Sequence, residues 1–269
     1  MYSESENSSV CPACGFPPEA GHASGCVNGP SKADTRLQEE FLAEEAVTDE
    51  AKEEFFKLYG KINSMPEDML QRKIQSFNRP VEARHLFIVR DENGQIIAGA
   101  AVEVERGKEA YFRMKVVEDS YRGKGLAAQL TQKRVESATE AGCREAYAVV
   151  GGADGSALRA IFKDGFAIRA KNNQEQNSQS PDEFSYRVTR DLTVPRPGNI
   201  SVAEVKDVKT VESEGDISGD KLLVPWYNQE LIDNALSRGY VGKQLFRSKD
   251  LTELQGLEDN VLYFERLKL

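Results

Sequence analysis

A glycine-rich turn with two basic residues is the first place in this sequence where an anion could bind. The turn reads Arg122-Gly123-Lys124-Gly125-Leu126-Ala127, and it follows a predicted strand that ends at Val117 and opens a predicted helix. Unpaired N–H groups and the positive end of the helix dipole meet at such a helix start. Glycine lets a phosphate approach the backbone closely. The turn therefore predicts a phosphate or pyrophosphate site, although many strand–helix connections use glycine only to bend.

A second group of chemically capable residues lies near the start of the chain. Cys11, Cys14, His22 and Cys26 supply three thiolates and one imidazole, which is the ligand set of a closed tetrahedral zinc site. Few large aliphatic residues occur in this segment, so a bound metal would supply the free energy that orders it. The spacing resembles a zinc knuckle with a longer central gap. We predict one structural Zn²⁺ here, and the alternative is a tail with incidental cysteines.

Composition excludes several classes of protein. The 269 residues include 35 basic and 44 acidic side chains, and the net charge of −9 makes nucleic-acid binding an unfavoured function. The only histidines are His22 and His85, which argues against histidine triads and multi-histidine metal catalysis. No apolar run is long enough for a membrane helix and no secretory signal is visible. We therefore expect a cytoplasmic protein without a membrane partner.

Hydrophobic periodicity predicts an alternation of helices and strands around the turn. Two helices are expected first, one capped by Thr48 or Asp49 and one starting at Met65-Pro66. Strands at 85–89 and 96–104 are joined by a tight hairpin at 91–94, and a third strand covers 110–117. After the turn, a helix whose apolar stripe is interrupted by Arg134 ends at Gly142. A strand at 146–150, a helix at 156–163, and strands at 166–170 and 184–192 around a polar loop at 172–180 complete this series.

This order of elements and the turn together resemble the GNAT superfamily of acetyl-CoA-dependent N-acetyltransferases. The family's turn reads Gln/Arg-x-x-Gly-x-Gly/Ala, and Arg122, Gly125 and Ala127 occupy its three specified positions. The resemblance covers about residues 37–192. It implies an α+β GNAT-type acyl-CoA N-acyltransferase fold, in which a mixed, mostly antiparallel sheet is flanked by helices.

A second family motif, Asn-x-x-Ala-x-x-x-Tyr-x-Lys-x-Gly-Phe, is matched in part. Ala157, Lys163 and the pair Gly165-Phe166 agree with it, whereas Asp154 and Ile161 replace the asparagine and the tyrosine. The tyrosine usually protonates the departing thiolate, which isoleucine cannot do. The difference therefore puts the proton source in doubt.

The resemblance also implies a cosubstrate and a reaction. Acetyl-CoA would donate its acetyl group to a primary amine by direct attack in a ternary complex. Its implied binding residues are Val116, Val117, Arg122, Gly123, Lys124, Gly125, Leu126, Ala127, Asp154, Ala157 and Lys163. In the family the backbone near Val117 pairs with the pantetheine arm, and its N–H polarises the thioester carbonyl. The acceptor, a small molecule or a protein, is not indicated.

The resemblance also implies candidate catalytic side chains. In histone-type relatives the basic carboxylate lies on the strand before the turn, at a fixed spacing from the turn's first basic residue, and that spacing falls on Glu109 here. Glu103 and Glu105 are alternatives on the neighbouring strand. Tyr147, Tyr111 or water would replace the missing acid, and regular alternation would place Glu109, Tyr111, Arg113 and Lys115 on one strand face. The competing hypothesis is a weak or inactive GNAT-fold adaptor that binds CoA and a macromolecular partner through its zinc segment.

The chain is predicted to have three parts. These are a zinc-knuckle-like segment at 1–35, the acetyltransferase domain at 36–193 and a β-α-β extension at 194–269 that follows a proline-rich linker. When the sequence is aligned with itself at one constant offset, 221–224 aligns with 147–150 and 237–240 aligns with 163–166. In addition, 261–267 resembles 184–192. The extension is thus a candidate half-repeat of the domain, with an unrelated β-α-β cap as the alternative.

Overall fold

The computed structural model describes residues 41–104, 109–152, 154–172, 185–247 and 260–267. Its strands are β1 (Ala43–Glu45), β2 (Ala83–Arg90), β3 (Ile96–Val104), β4 (Glu109–Val117), β5 (Glu145–Gly151), β6 (Ala167–Lys171), β7 (Ser185–Asp191), β8 (Lys221–Pro225), β9 (Tyr240–Phe246) and β10 (Val261–Arg266). They form one sheet in the order β1-β2-β3-β4-β5-β7-β6-β9-β10-β8. Among these named strands only β4 and β5 pair in parallel. The sheet is therefore mixed and mostly antiparallel, as expected.

Six helices accompany the sheet in the described part of the chain. They are α1 (Asp49–Ile62), α2 (Glu67–Phe77), α3 (Leu126–Glu140), α4 (Gly155–Lys163), α5 (Val202–Val205) and α6 (Gln229–Ser237). Within the described residues no helix is long and apolar enough to cross a membrane. The predicted helices and strands are confirmed, with small differences at most of their ends.

Local signals explain where the first elements begin. Thr48 caps α1, because its hydroxyl oxygen accepts a hydrogen bond from the Ala51 N–H at 3.2 Å. The hairpin between β2 and β3 is held by Asp91, whose Oδ1 accepts from the N–H groups of Asn93 and Gln95. Gly94 has a φ of 79° in this turn. Of the two predicted caps, Thr48 is the one that the structure uses.

Apolar side chains bury both faces of the sheet. Helices α1 and α2 cover one face of β2 to β4, with Phe55 and Phe56 fully or almost fully buried there. Helices α3, α4 and α6 cover the other face, where Leu130 and Leu158 are completely buried. That second core continues into the C-terminal strands, because β6 pairs with β9 at Ile168 and Gly242.

A bulge in β4 changes which side chains face which helices. Ala101 pairs with Arg113 but Gly99 pairs with Val116, so the β4 strand has one residue more than β3 at this point. Met114 there has a φ of 58°. Phe112 packs on the α3 face before the bulge, whereas Val116 packs on the α1 face after it. The expected alternation is therefore wrong for Lys115, which contacts α3 through Thr131.

Three predictions fall on residues outside the described ranges. These are the zinc ligands Cys11, Cys14, His22 and Cys26, the alternative base Glu105, and most of the polar loop at 172–180. The expected extension contains β8, α6, β9 and β10. Its boundary as a separate domain stays a prediction.

Candidate functional site

A cleft of about 820 Å³ opens where β4 and β5 separate. The two strands pair only at Glu109–Tyr111 and Glu145–Tyr147. Beyond that point the segments 112–117 and 148–151 line the two walls. Because the strands have parted, their facing backbone groups can pair with an extended ligand that lies between them. The cleft thus passes through the sheet and is open to both layers of helices.

The predicted phosphate turn lies at one side of this cleft. Gly123 and Gly125 have φ values of 81° and 82°, and Gly125 is the N-cap of α3. Residues with a Cβ rarely adopt this conformation, so the sequence needs glycine here. Arg122, Gly123 and residues 125–127 line the cleft. The first N–H groups of α3 and the positive end of its dipole are directed at this place.

Lys124 differs from its neighbours in the turn. Its ammonium lies 4.7 Å from the centre of the Tyr121 ring and 5.7 Å from that of Phe41. It is not among the residues that line the cleft. Arg122 lines it, with a guanidinium nitrogen 2.7 Å from an Asp119 carboxylate oxygen. Of the two basic side chains of the turn, Arg122 is therefore the one that lines the cleft.

Helix α4 forms another wall and begins at a capping carboxylate. Asp154 Oδ1 accepts hydrogen bonds from the N–H groups of Ser156 and Ala157 at 3.1 and 2.9 Å. Burial raises the pKa of Asp154, but these hydrogen bonds outweigh burial and leave the pKa below its ordinary value. Asp154, Ala157 and Lys163, which were predicted to bind the cofactor, line the cleft, and Ile161 lines it at the position of the family's tyrosine.

A buried ionic cluster supports the cleft from the α3 side. Lys115 Nζ lies 2.5 Å from Asp164 Oδ2, and the Thr131 hydroxyl donates to the same oxygen at 3.0 Å. Arg134 is completely buried over the Phe112 ring, and burial lowers its pKa to about 10 against the opposing effect of Asp164. Burial likewise lowers the pKa of Lys115. Sequence reasoning missed this cluster, and its one visible signal was Arg134 in an apolar stripe.

The opposite face presents a tyrosine that the sequence did not single out as a candidate. Tyr59 of α1 lines the cleft together with Arg113 of β4. Burial raises the pKa of Tyr59, and the Arg113 charge opposes that rise. Arg113 is itself bonded to Glu103, with a nitrogen–oxygen distance of 2.7 Å. Tyr59 is therefore a neutral phenol at neutral pH and can donate a proton.

The predicted catalytic residues Glu109 and Tyr147 lie where β4 and β5 still pair, and they do not line the cleft. Glu109 Oε2 is 2.6 Å from Arg187 Nη2, and that guanidinium lies 4.0 Å from the centre of the Tyr147 ring. Tyr147 stacks on Tyr111 at 4.8 Å. Burial, and next the Glu109 charge, raise the pKa of the neighbouring Glu145. Because Glu145 pairs with Glu109 across β4 and β5, it is a further candidate base.

Sequence comparison assigns the family. Residues 45–166 match the model of the acetyltransferase (GNAT) family. The chain contains a GNAT acetyltransferase domain. A Bacillus subtilis (strain 168) protein, YwnH, provisionally named a phosphinothricin acetyltransferase, is 31% identical over 106 residues. These residues are 38% of this chain and 63% of YwnH, so the chain covers less than two thirds of that relative.

Solved structures of low sequence identity resemble the GNAT domain. A nourseothricin acetyltransferase has a TM-score of 0.39 at 17% identity over 41% of this chain and 66% of its own. A spermidine N-acetyltransferase of Vibrio cholerae has a TM-score of 0.46 at 14% identity over 58% of this chain and 97% of its own. Both scores are low, so the assignment rests on the family match. The matched region includes α1 to α4 and ends just before β6.

Proposed function

We propose that this protein is an N-acetyltransferase that moves an acetyl group from acetyl-CoA to a primary amine by direct attack in a ternary complex. One observation carries the proposal: the cleft runs between β4 and β5 from a glycine-rich helix start to the face of α1. An elongated thioester with a pyrophosphate at one end fits such a path. The acetyltransferase family of residues 45–166 supports the same chemistry.

The backbone supplies the binding groups for acetyl-CoA. The N–H groups at 123–127 and the side chain of Arg122 would hold the pyrophosphate. The parted edges at Val116 and Val117 would pair with the pantetheine amides, and an N–H near the bulge would polarise the thioester carbonyl. Acetyl-CoA supplies the activated acyl group. These roles depend on backbone position rather than on side-chain identity, so few side chains need to be specified for binding.

The amine is proposed to enter from the α1 face. Glu109 or Glu145 would accept a proton from it through water, because both carboxylates lie beside Arg187 on the paired stretch of β4 and β5, beyond the closed end of the cleft. As the amine nitrogen forms its bond to the acetyl carbon, the carbon–sulfur bond breaks. Tyr59 would then protonate the departing thiolate, since Ile161 cannot. Tyr147 is the alternative donor.

An acetylation assay with a panel of amines tests this proposal. Release of CoA, with an acceptor product heavier by one acetyl group in mass spectrometry, is expected. The provisional name of YwnH places small-molecule amines first in the panel. Binding of acetyl-CoA without any turnover would instead support the adaptor hypothesis, which the family match does not favour.

We also propose, from the sequence alone, that Cys11, Cys14, His22 and Cys26 hold one structural Zn²⁺ in a cytoplasmic protein. Metal analysis of purified protein should find one equivalent of zinc, and Cys14→Ser should lose it because three ligands bind zinc far less tightly. A zinc content below about half an equivalent that is the same in both proteins would contradict the assignment.

A further inference from the structure

The last part of the sheet repeats the architecture of β5, α4, β6 and β7, which with β4 form the half of the sheet that carries the cleft. We propose that residues 209–247 and 260–266 are a second copy of that half, that this copy has lost its own cleft, and that it positions helix α4 in the cleft of the first copy. The proposal rests on the proposed acetyl-CoA site for its functional part. Its structural part stands independently of any ligand.

Helices α4 and α6 are equivalent under one constant shift along the chain. Their bounds, Gly155–Lys163 and Gln229–Ser237, differ by the same amount at both ends. Asp154 caps α4 by accepting from the N–H of Ala157, and Asn228 caps α6 by accepting from that of Leu231, at the same shift. The buried positions agree as well, with Leu158 matching Ile232 and Ile161 matching Ala235. An unrelated helix would share these features only by coincidence.

The strands repeat in the same way. From the β6–β9 junction outward, the order is β6-β7-β5 on one side and β9-β10-β8 on the other. Gly165 and Gly239 end the two helices with φ values of 85° and 84°. Because the matching strands β6 and β9 pair antiparallel, the two copies meet as in a two-fold symmetric interface. Each helix also crosses the junction, since α4 packs on β9 and α6 packs on β6.

The second copy is closed where the first is open. Thr210 pairs in parallel with Leu223, and under the shift Leu223 matches Val149, which lines the open cleft. Leu222, Leu223 and Val224 are completely buried. The connection that follows Thr210, at 212–220, is too short for a counterpart of α3, and it carries Glu212, Glu214 and Asp216 in place of a basic turn. The second copy therefore has no anion site of this type among its described residues.

Contacts from beyond residue 193 hold both ends of α4. At its start, a Cβ on Gly155 would lie only 3.3 Å from Cζ3 of Trp226 and 3.6 Å from Leu245. At its end, a Cβ on Gly165 would lie 3.1 Å from Arg196 and 3.2 Å from Pro197. Since α4 forms a wall of the cleft, these contacts fix the width of the site. Trp226 is a positioning residue in this account and does not line the cleft.

Trp226 is the only tryptophan of the chain, so the tryptophan fluorescence of the intact protein reflects the surroundings of this one side chain. Titration with acetyl-CoA should change the Trp226 fluorescence with the same midpoint that calorimetry gives. Trp226→Ala should weaken acetyl-CoA binding by about 5- to 30-fold and raise hydrogen exchange in α4 even without ligand. Trp226→Phe should restore most of both, because a ring again covers Gly155. Tyr227→Ala, at an exposed neighbouring side chain, is the matched control and should change neither.

The outcomes separate the two proposals. If the parent does not bind acetyl-CoA, the proposed function fails, whereas α4 exchange in Trp226→Ala still decides the positioning claim. Unchanged exchange in α4 of that variant, or parent fluorescence that does not respond to bound acetyl-CoA, would overturn the inference. Should Trp226→Ala fail to fold, the fluorescence titration of the parent and the Trp226→Phe variant remain decisive.

Discussion

The two halves of the sheet that meet at β6 and β9 share an order of elements but differ at one place. In the first half β4 and β5 part after three paired residues, next to a bulge at Met114. In the second half Thr210 still pairs with Leu223, and the neighbouring side chains are buried. A fold of this kind therefore gains a ligand cleft from a local strand irregularity and a helix start, not from its overall topology.

Charge follows the same division. The first half has Arg122 at its turn and encloses Lys115, Arg134 and Asp164 beside the cleft. In the second half the position that matches Asp164 is Arg238, which reaches Glu214 at a partly exposed surface. A buried ionic cluster costs desolvation energy that an apolar core would avoid. Because the cluster lines the open cleft, we relate it to the candidate site rather than to core stability.

The largest expected effect distinguishes the two halves directly. Gly125→Glu should abolish acetyl-CoA binding, because a carboxylate would occupy the place of the pyrophosphate. Gly219→Glu is the matched control in the closed half, since Gly219 has a φ of 86° and open space around it. Calorimetry on both variants checks this. Equal binding by Gly125→Glu and the parent would mean that the phosphate turn is misplaced.

The ionic cluster is the next contrast. Asp164→Asn leaves Lys115 without a carboxylate in a buried position, and we expect the free energy of unfolding to fall by about 3 kcal/mol. Arg238→Ala at the matching position should cost about 1 kcal/mol or less, because its ion pair is partly exposed. Denaturant unfolding of both variants gives the comparison. A smaller loss for Asp164→Asn than for Arg238→Ala would contradict the assignment.

Tyr59 tests the acceptor side of the open half. Tyr59→Phe keeps the ring packing of α1 but removes the proton donor, so kcat should fall by about 10²-fold while acetyl-CoA affinity stays unchanged. Tyr147→Phe should have a smaller effect, since Tyr147 does not line the cleft. Steady-state kinetics with one active amine measure both. The opposite ranking would return the acid role to Tyr147.

The smallest effect concerns Glu145, whose matching position in the closed half is Gly219. The pKa of Glu145 is raised in the folded state, so protonation of this carboxyl stabilises the fold. That stabilisation is lost as pH rises through the folded pKa. A neutral Glu145→Gln side chain should therefore stabilise the protein at pH 7, by less than about 1 kcal/mol. At acidic pH, where Glu145 is protonated, the variant and the parent should match. Thermal unfolding at both pH values checks the sign, and destabilisation at pH 7 would refute it.

Much of the fold was predictable because its signals are local. The Asn93-Gly94 pair, the Thr48 cap and the glycines at 123 and 125 each specify a backbone conformation that the structure adopts. The conformation of the predicted phosphate turn was visible for the same reason, and phosphate binding there stays a prediction. Most of the residues predicted to bind the cofactor do line the cleft, with Lys124 as the exception.

The rest depends on contacts between distant residues. One extra residue in β4 sends Lys115 toward α3, and no alternation pattern reveals such a bulge. Tyr59 reaches the cleft because α1 packs on the sheet. Since α1 lies far before β4 and β5 in the chain, no local pattern shows this contact. Glu109 was chosen by its spacing from the turn. That spacing does not show that Arg187, which lies much later in the sequence, forms an ion pair with it.

Calorimetric titration of the intact chain with acetyl-CoA is the most direct test of the central claim. We predict binding at one site per chain, because within the described residues only the β4–β5 half combines parted parallel strands with a glycine-rich helix start. The heat should disappear in Gly125→Glu and persist in Gly219→Glu. A stoichiometry of zero would contradict the proposed site, and a stoichiometry of two would contradict the closed state of the second half.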